Sequence, residues 1–166
     1  ATEQVVRETA DALHYQGRTT SGIALSTVMH SLIPMDAEKE PLTDMQTWAD
    51  SRSAGIVREL KESDPALCRA FYEHTGCPMH ACYPLAKILR RNRPELFART
   101  KYIGSIKDYL FHTFTGEFLI DRSTASTTAL YNARELAWDQ EILTFIGITE
   151  DMLPPVISTT ESRPLT

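Results

Sequence analysis

The fold is decided by residues 21 to 36, which read SGIALSTVMHSLIPMD. The apolar run Ile23 to Leu25 is too short for a helix, and it predicts a buried strand over Gly22 to Thr27. A second extended piece is predicted from Ser31 to Met35. Polar groups follow the first strand directly. Because ligands of α/β sheets bind at the carboxyl ends of strands, a small-molecule site is expected at this point.

Met29 and His30 are the first candidates for that site. Alternation along an extended chain places Val28 and His30 on one face and Met29 on the other. A neutral imidazole can both donate and accept hydrogen bonds with the hydroxyl groups of a polyol. The same histidine can equally be a structural group that is hydrogen-bonded to a nearby loop. Position alone leaves both interpretations open.

A second polar cluster contains Trp48, Asp50 and Arg52. An indole face can stack on the CH surface of a sugar, a carboxylate can accept hydrogen bonds from hydroxyls, and a guanidinium can hold a carboxylate substrate. The alternative is that Asp50 caps a helix over Ser51 to Lys61 while Trp48 lies in the core. These residues alone do not decide between the two interpretations.

Helical periodicity covers most of the remaining chain. An amphipathic helix is predicted for residues 2 to 16, where it is ended by Gly17 and packs on an apolar surface. Further helices are predicted at Arg52 to Lys61, Pro65 to His74, Leu85 to Arg91, Pro94 to Arg99, Ile106 to Phe114 and Trp138 to Ile146. Either Ser63 or Asp64 is expected to cap the helix at Pro65, and either Asn92 or Arg93 the helix at Pro94.

The C-terminal third contains weaker signals. Phe118 to Ile120 is an apolar run after a tight turn at Gly116. The Ser/Thr cluster at residues 123 to 128, behind Asp121, favours a capped helix of small residues whose hydroxyls bond back to the backbone. The tail from Pro154 to Thr166 has no period and is expected to be extended or loosely ordered.

Composition narrows the classes of partner. The 166 residues include 17 basic and 22 acidic residues mixed along the chain, for a net charge of −5, and nucleic acid is therefore not expected as a partner. No apolar stretch approaches the roughly 20 residues that a membrane span needs. Three cysteines without paired spacing fit a reducing compartment, so a cytoplasmic protein is expected. Lys87, Lys101 and Lys107 are isolated and are expected on solvated faces.

Two motifs resemble a zinc site and a phosphate loop, but their spacing, residue types or position in the chain argue against these sites. The string of His74, Cys77, His80 and Cys82 contains zinc-ligand types, but spacers of one or two residues leave little chain to surround a tetrahedral ion. Residues 17 to 22 superficially resemble a phosphate loop. They lack its lysine and precede a predicted strand rather than a helix, so we interpret them as a connection.

Five stretches together resemble the FGGY family of carbohydrate kinases, and its gluconate kinases most of all. They are STVMHSLIPMD, PLTDMQTWADSR, TGCPMHACYPLAK, YIGSIKDYLFHTFTGEFLIDRSTAS and LAWDQEILTFIGI, in order from about Ser21 to Thr160. The resemblance implies an α/β fold of the ribonuclease-H-like, actin-like ATPase type. Residues 1 to 166 would be one helix-rich segment with few strands from the N-terminal, sugar-binding domain. The phosphate-binding hairpin, the general base and the C-terminal nucleotide domain would lie outside it.

The resemblance also implies an activity and a site. The parent protein would phosphorylate a sugar or sugar acid with ATP and Mg²⁺, with gluconate favoured over xylulose or a related polyol. The residues implied to contact the sugar are Met29, His30, Trp48, Asp50, Arg52, His80 and Cys82. His80 and Cys82 are the weaker candidates, and Cys82 departs from the tyrosine of the glycerol kinases. No catalytic residue and no metal ligand is expected in this segment, which alone would be inactive.

The alternative function is a helical binding or scaffold module without chemistry. It predicts that His30 and Asp50 lie far apart and that Trp48 is buried in the core. A further expectation concerns the strand Gly22 to Thr27, whose flanking strands are missing from the sequence pattern. Its unpaired edge predicts self-association, such as a homodimer.

Overall fold

The computed structural model describes residues 2–90 and 94–166, and within these ranges helices outnumber strands. The helices are α1 Thr2–Tyr15, α2 Ala54–Ser63, α3 Pro65–Thr75, α4 Pro84–Leu89, α5 Pro94–Arg99, α6 Ile106–Thr115, α7 Arg122–Ala125 and α8 Gln140–Ile146. The strands are β1 Ile33–Met35, β2 Tyr102–Gly104, β3 Ile120–Asp121, β4 Tyr131–Asn132, β5 Ala137–Trp138 and β6 Val156–Ile157. The expected helix-rich segment with few strands is confirmed.

The strands form three separate pairs. Strand β1 runs antiparallel to β2, with Ile33 opposite Gly104, and β4 runs antiparallel to β5. Strand β3 is parallel to β6. An isolated bridge between Leu32 and Gln46 continues the β1 region and holds the following loop against it. In the described ranges, no helix is long and apolar enough to cross a membrane.

Helix α4 is at the centre of the core. Every residue from Pro84 to Ile88 is buried, because this short helix has no polar face apart from one lysine. The core around it includes Leu32, Phe71, Met79, Ile103, Leu130, Tyr131, Trp138, Ile142, Leu143 and Ile146. The only charged side chain of α4, Lys87, is therefore surrounded by packed structure rather than by solvent, with 4% of its surface exposed. The expectation that Lys87 lies on a solvated face is wrong.

The predicted strand over Gly22 to Thr27 is wrong. These residues have no regular structure, and Ile23 is 37% exposed. A strand needs a partner for its backbone N–H and C=O groups, and within residues 2–90 and 94–166 no segment pairs with this one. Helix α1 forms as predicted, but none of its residues is buried, so the expected packing against an apolar surface is absent from the described structure.

The second extended piece is confirmed, since Ser31 to Met35 is buried and contains β1. The alternation predicted for Val28 to His30 is wrong, because the chain turns at Met29 and His30. His30 has a φ of 60°, in the left-handed region that non-glycine residues rarely adopt. The candidate site therefore begins at a strained turn before β1 and not at the end of a preceding strand.

Most helix predictions are confirmed, with local corrections. Helix α3 starts at Pro65 as predicted, and the Asp64 carboxylate accepts a hydrogen bond from the Leu67 amide at 2.9 Å. Helix α2 starts at Ala54 instead of Arg52, and its N-cap position is Ser53, so the interpretation of Asp50 as the cap is wrong. Helix α4 spans Pro84–Leu89. The predicted end at Arg91 and the predicted caps Asn92 and Arg93 lie outside the described residues.

Two corrections concern the C-terminal third. Trp138 belongs to strand β5, and helix α8 begins two residues later because the Asp139 carboxylate accepts from the Ile142 amide at 3.0 Å. The tail is more ordered than predicted, since β6 pairs with β3. The Ser/Thr cluster behaves as expected: Asp121 caps α7, and the hydroxyls of Ser126, Thr127 and Thr128 donate to backbone carbonyls three residues back.

Candidate functional site

The side chain of His30 is fixed by two neighbours. Its Nδ1 lies 2.8 Å from the carbonyl oxygen of Thr127, and its ring meets the ring of Tyr83 edge-on with centroids 4.9 Å apart. A carbonyl oxygen can only accept, so Nδ1 carries the proton. In the neutral imidazole, Nε2 is then left as a hydrogen-bond acceptor for another group.

Lys87 joins the His30 turn to the loop before α4. Its ammonium donates to the carbonyl of His30 and, at 2.7 Å, to the carbonyl of Cys82. Burial lowers the pKa of Lys87 to about 8, while the charges of Asp50 and Cys82 act to raise it. Asp50 is therefore within electrostatic range of the ammonium. The structure brings three segments that are distant in sequence together around one buried cation.

Asp50 and Arg52 form a fork-shaped ion pair. Arg52 Nε lies 2.9 and 3.0 Å from the two Asp50 oxygens, and Arg52 Nη2 lies 2.5 Å from Oδ2. These hydrogen bonds lower the pKa of Asp50 to about 2, so the group is ionised at neutral pH. The Asp50 side chain is 9% exposed and the Arg52 side chain 62% exposed. One edge of the guanidinium is thus engaged by Asp50, and its other N–H groups face solvent.

The loop from Cys77 to Tyr83 carries the two weaker candidates. The Cys82 amide donates to His80 Nδ1 at 3.2 Å, so in the neutral ring the proton is on Nε2, which is a donor. His80 also faces Tyr83, with ring centroids 6.5 Å apart. Burial raises the pKa of the Cys82 thiol, which keeps it protonated and unreactive near neutral pH.

Met29 and Trp48 are the exposed apolar members of the predicted set. Met29 is 49% exposed and Trp48 is 59% exposed. The interpretation of Trp48 as a core residue is therefore wrong. A large apolar side chain with most of its surface free is suited to stack on a ligand, provided that the ligand lies beside it.

A cleft of about 290 Å³ adjoins the cluster. Among the described residues, its lining includes the basic side chains of Arg52, Lys87 and Arg90, and the acidic side chain of Asp44. Arg90 Nη2 donates to Gln46 Oε1 at 3.3 Å, and the Arg90 charge contributes to the lowered pKa of Asp50. This cleft has a basic lining next to the ionised Asp50.

The hydrogen bonds of the zinc-like string do not bring its four side chains together. His74 Nδ1 lies 2.9 Å from Asp139 Oδ2, and the Cys77 thiol donates to the Ser126 carbonyl at 3.3 Å. His80 accepts from the Cys82 amide, as described above. In residues 2–90 and 94–166, no group of three or more His, Cys, Asp or Glu side chains is arranged to hold a metal ion.

Sequence reasoning missed Lys87, Tyr83 and Thr127. Thr127 contributes only a backbone carbonyl, which leaves no trace in the sequence. Lys87 had a usable signal, because a lysine flanked by Ala86 and Ile88 in a helix with no other polar residue must be buried with the helix. A buried lysine requires hydrogen-bond partners, which points to a structural or functional role.

Comparisons with known proteins identify the family of the chain. The family model "FGGY family of carbohydrate kinases, N-terminal domain" matches residues 1–163. Gluconokinase of Bacillus subtilis (strain 168) is 42% identical over 144 residues, which cover 85% of this chain and 28% of that protein. Gluconokinase of Bacillus licheniformis is 38% identical over 162 residues, which cover 95% of this chain and 31% of that protein.

The fold of the chain also matches a solved structure. Gluconate kinase from Lactobacillus acidophilus matches with a TM-score of 0.87 and 31% sequence identity, over 95% of this chain and 32% of that one. The chain thus spans about a third or less of the length of these relatives. The expected fold class, a helix-rich part of an actin-like ATPase fold, is confirmed. Because the family match extends over nearly the whole sequence, the chain belongs to the FGGY family of carbohydrate kinases.

Proposed function

We propose that the protein containing this chain transfers the γ-phosphoryl group of ATP to a hydroxyl of a sugar acid, with gluconate as the favoured substrate. The hydroxyl oxygen forms the new bond to phosphorus, ADP leaves, and the hydroxyl proton is lost. This chain supplies part of the sugar-binding site. The observation that carries the proposal is that Lys87 binds the carbonyls of His30 and Cys82 and lines one cleft with Arg52, the ion-pair partner of Asp50.

Each side chain of the site has a chemical role in this proposal. His30 Nε2 accepts a hydrogen bond from one sugar hydroxyl, and the ionised Asp50, held by Arg52, accepts from another. The Nε2–H group of His80 can donate a hydrogen bond to the sugar, and Cys82, whose amide binds His80, lies in the same loop. Met29 and Trp48 contribute exposed apolar surface for the CH groups of the sugar. Together these contacts orient the hydroxyl that accepts the phosphoryl group, and positioning is the main contribution of a protein to this reaction.

The preference for gluconate has two supports. Two gluconokinases are 38% and 42% identical to the chain. The cleft is lined by Arg52, the ion-pair partner of Asp50, and by Arg90, and their guanidinium groups suit the carboxylate that distinguishes a sugar acid from a neutral polyol.

Carbohydrate kinases of this family use ATP. Residues 17 to 22, the only stretch that superficially resembles a phosphate loop, form an exposed connection that opens no helix in the structure. They do not fit a bound nucleotide, and we assign no step of phosphoryl transfer to residues of this chain. We propose Mg²⁺ as the ion that accompanies ATP, as is general for phosphoryl transfer.

A substrate panel tests the proposed function. The full protein is incubated with ATP, Mg²⁺ and gluconate, xylulose or glycerol, and ADP release is followed by a coupled assay. We expect turnover with gluconate and a lower kcat/KM with the two neutral polyols. Turnover that favours a neutral polyol would contradict the sugar-acid preference, and the absence of turnover with every sugar and polyol would contradict the kinase proposal.

The scaffold alternative fits the structure less well. It requires a buried Trp48 and a separation of His30 from Asp50. Trp48 is instead 59% exposed, and Lys87, which binds the His30 carbonyl, lines one cleft with Arg52, the ion-pair partner of Asp50. That the 166-residue chain has no kinase activity by itself stays a prediction, which ATP-dependent turnover by the purified chain would contradict. The homodimer and the cytoplasmic location also stay predictions.

A further inference from the structure

We propose that Lys87 is a positioning residue of the sugar site, which holds the turn at Met29 and His30 against the loop Cys77 to Tyr83 through two backbone carbonyls. This inference rests on the proposed function, because it assigns a task to a residue that does not itself belong to the predicted sugar contacts. The task is to fix the distance between His30 on one side of the site and His80 and Cys82 on the other.

The first step of the argument is the way in which Lys87 is held. The residue is 4% exposed and lies in α4, where every residue from Pro84 to Ile88 is buried. A buried ammonium is costly unless its N–H groups are hydrogen-bonded. The carbonyls of His30 and Cys82 accept two of its three hydrogen atoms, and Asp50 is within electrostatic range. Lys87 thus binds backbone carbonyls in two segments.

The second step concerns the conformation of His30. Its φ of 60° is unfavourable for a residue with a Cβ atom, so the turn needs surrounding contacts that hold it in this conformation. The described contacts are the bond from the ring to the Thr127 carbonyl, the edge contact with Tyr83 and the bond from Lys87 to the His30 carbonyl. Only the last acts on the backbone of the strained residue.

The third step links the two sides of the site. Tyr83 is the N-cap residue of α4, and Cys82 precedes it, so the loop leads directly into the helix that contains the lysine. The Leu85 amide also donates to the Thr128 carbonyl at 3.2 Å, next to the carbonyl that holds the His30 ring. Without the Lys87 bonds, the turn would keep its ring contacts but lose the direct backbone connection to the loop.

Hydrogen exchange tests this connection without any sugar. The full protein with Lys87→Met keeps an apolar chain of similar length but has no donor for the two carbonyls. We expect exchange to accelerate by about tenfold in peptides that cover residues 26–31 and 78–83, and to stay unchanged in α8. The control is Lys61→Met, which removes an exposed lysine of α2 and is expected to change neither peptide.

Kinetics test the consequence for the sugar. For Lys87→Met we expect the KM for gluconate to rise by about tenfold, with kcat within about threefold of the unmodified protein, because the loss affects sugar alignment rather than the transferred group. A lysine with a merely structural role would lower the amount of folded enzyme and leave the KM unchanged. The KM for ATP serves as an internal control and is expected to stay constant.

Several outcomes would overturn the proposal. Unchanged exchange in both peptides would show that Lys87 does not tie them, and equal acceleration in α8 would show a general loss of stability. An unchanged KM for the sugar would remove the positioning role. If Lys87→Met does not fold, Lys87→Arg is the fallback variant, because it keeps a cation with several N–H donors. We expect it to fold, to show accelerated exchange in the two peptides and to have a moderately raised KM for gluconate. Accelerated exchange with a KM equal to that of the unmodified protein would contradict the proposal.

If the unmodified protein phosphorylates no sugar, the proposed function fails, but the exchange experiment still decides whether Lys87 holds the two loops together.

Discussion

At the scale of single residues, two groups are held in states that they avoid in isolation. His30 has a left-handed backbone conformation, and the Asp108 carboxyl is 1% exposed with no hydrogen-bond partner for Oδ1 among the described residues. Both lie close to the candidate site, since Ser31 follows His30 and its hydroxyl accepts a hydrogen bond from the Ile106 amide of the helix that contains Asp108. Unfavourable states of this kind persist where many contacts with the surrounding structure hold the residue in place.

The backbone of His30 can be tested by two substitutions. Both His30→Gly and His30→Ala remove the ring contacts with Thr127 and Tyr83. Glycine normally destabilises a protein relative to alanine, but at a φ of 60° the order is reversed, and we expect His30→Gly to be more stable by about 1 kcal/mol. Chemical denaturation of the two variants measures the difference. A more stable alanine variant would show that His30 is not left-handed.

The titration of Asp108 predicts a pH dependence of stability. Burial raises its pKa from 3.8 to about 7, although Ser105 donates to the carboxylate. Between these values the folded protein binds more protons than the unfolded protein, so the contribution of Asp108 to stability is present at low pH and is lost as the pH rises towards 7. We expect Asp108→Asn to gain about 1 to 3 kcal/mol relative to the unmodified protein between pH 4 and pH 8. Asp44→Asn, at an exposed carboxyl, is the control, and an equal pH dependence in both variants would contradict the assignment.

At the scale of elements, local signals predict helices better than strands. Asp64, Pro65 and Gly76 mark both ends of α3, because caps and breakers act within one turn. The strands have two or three residues each, too few for a pattern to emerge. Trp138 was predicted to begin a helix. It instead pairs with Tyr131 in the antiparallel β4–β5 pair, where the two ring centroids are 5.8 Å apart. Strand formation over Gly22 to Thr27 depends on a partner that no local pattern supplies.

The same distinction applies to the candidate site. Its side chains were predicted by resemblance and by residue type, whereas their arrangement depends on Lys87 and on the Thr127 carbonyl. A backbone carbonyl is present at every position, so its use cannot be inferred from residue identity. The turn at His30 was also not predicted, because most histidines still have a negative φ even though histidine is enriched in the left-handed region relative to other non-glycine residues.

The pairing of β1 with β2 makes a prediction about Gly104. A Cβ atom at this position would lie 3.0 Å from the ring of Phe118 and 3.1 Å from Cε of Met35, which is fully buried. We expect Gly104→Ala to lower the free energy of unfolding by about 1 to 2 kcal/mol through overpacking. Gly55→Ala is the matched control in α2, where a Cβ atom meets nothing within 4 Å and alanine should stabilise the helix by about 0.5 to 1 kcal/mol. Equal effects of the two substitutions in denaturation experiments would contradict the β1–β2 packing.

At the scale of the whole molecule, the N-terminal part of the chain leaves apolar side chains uncovered. Val5 is 61% exposed, Tyr15 94%, Ile23 37% and Val28 39%, whereas the core lies in the later elements. Exposed apolar surface of this kind promotes association. The segment that was predicted as a buried strand therefore contains an exposed apolar side chain, Ile23, and Val28 follows it shortly before the candidate site.

This exposure predicts that the 166-residue chain associates with itself. We expect light scattering to report an average mass above 18.7 kDa that increases with protein concentration. The double variant Ile23→Lys, Val28→Lys should shift the average mass towards that of the monomer, because it places charge on the exposed segment. A monomer at all concentrations would contradict the prediction, and so would association that the double variant leaves unchanged.

The central claim is that Asp50 and its neighbours form the sugar-binding site of a gluconate kinase. The most direct test is the steady-state kinetics of the full protein with Asp50→Asn, compared with Glu40→Gln as a control at an exposed carboxyl in the same connection between β1 and α2 but outside the cleft. Removal of the charge breaks the fork with Arg52 and weakens the acceptor for a sugar hydroxyl. The account predicts that kcat/KM for gluconate falls by at least about tenfold in Asp50→Asn and stays within about twofold in Glu40→Gln, while the KM for ATP is unchanged in both. Unaltered gluconate kinetics in Asp50→Asn would contradict it.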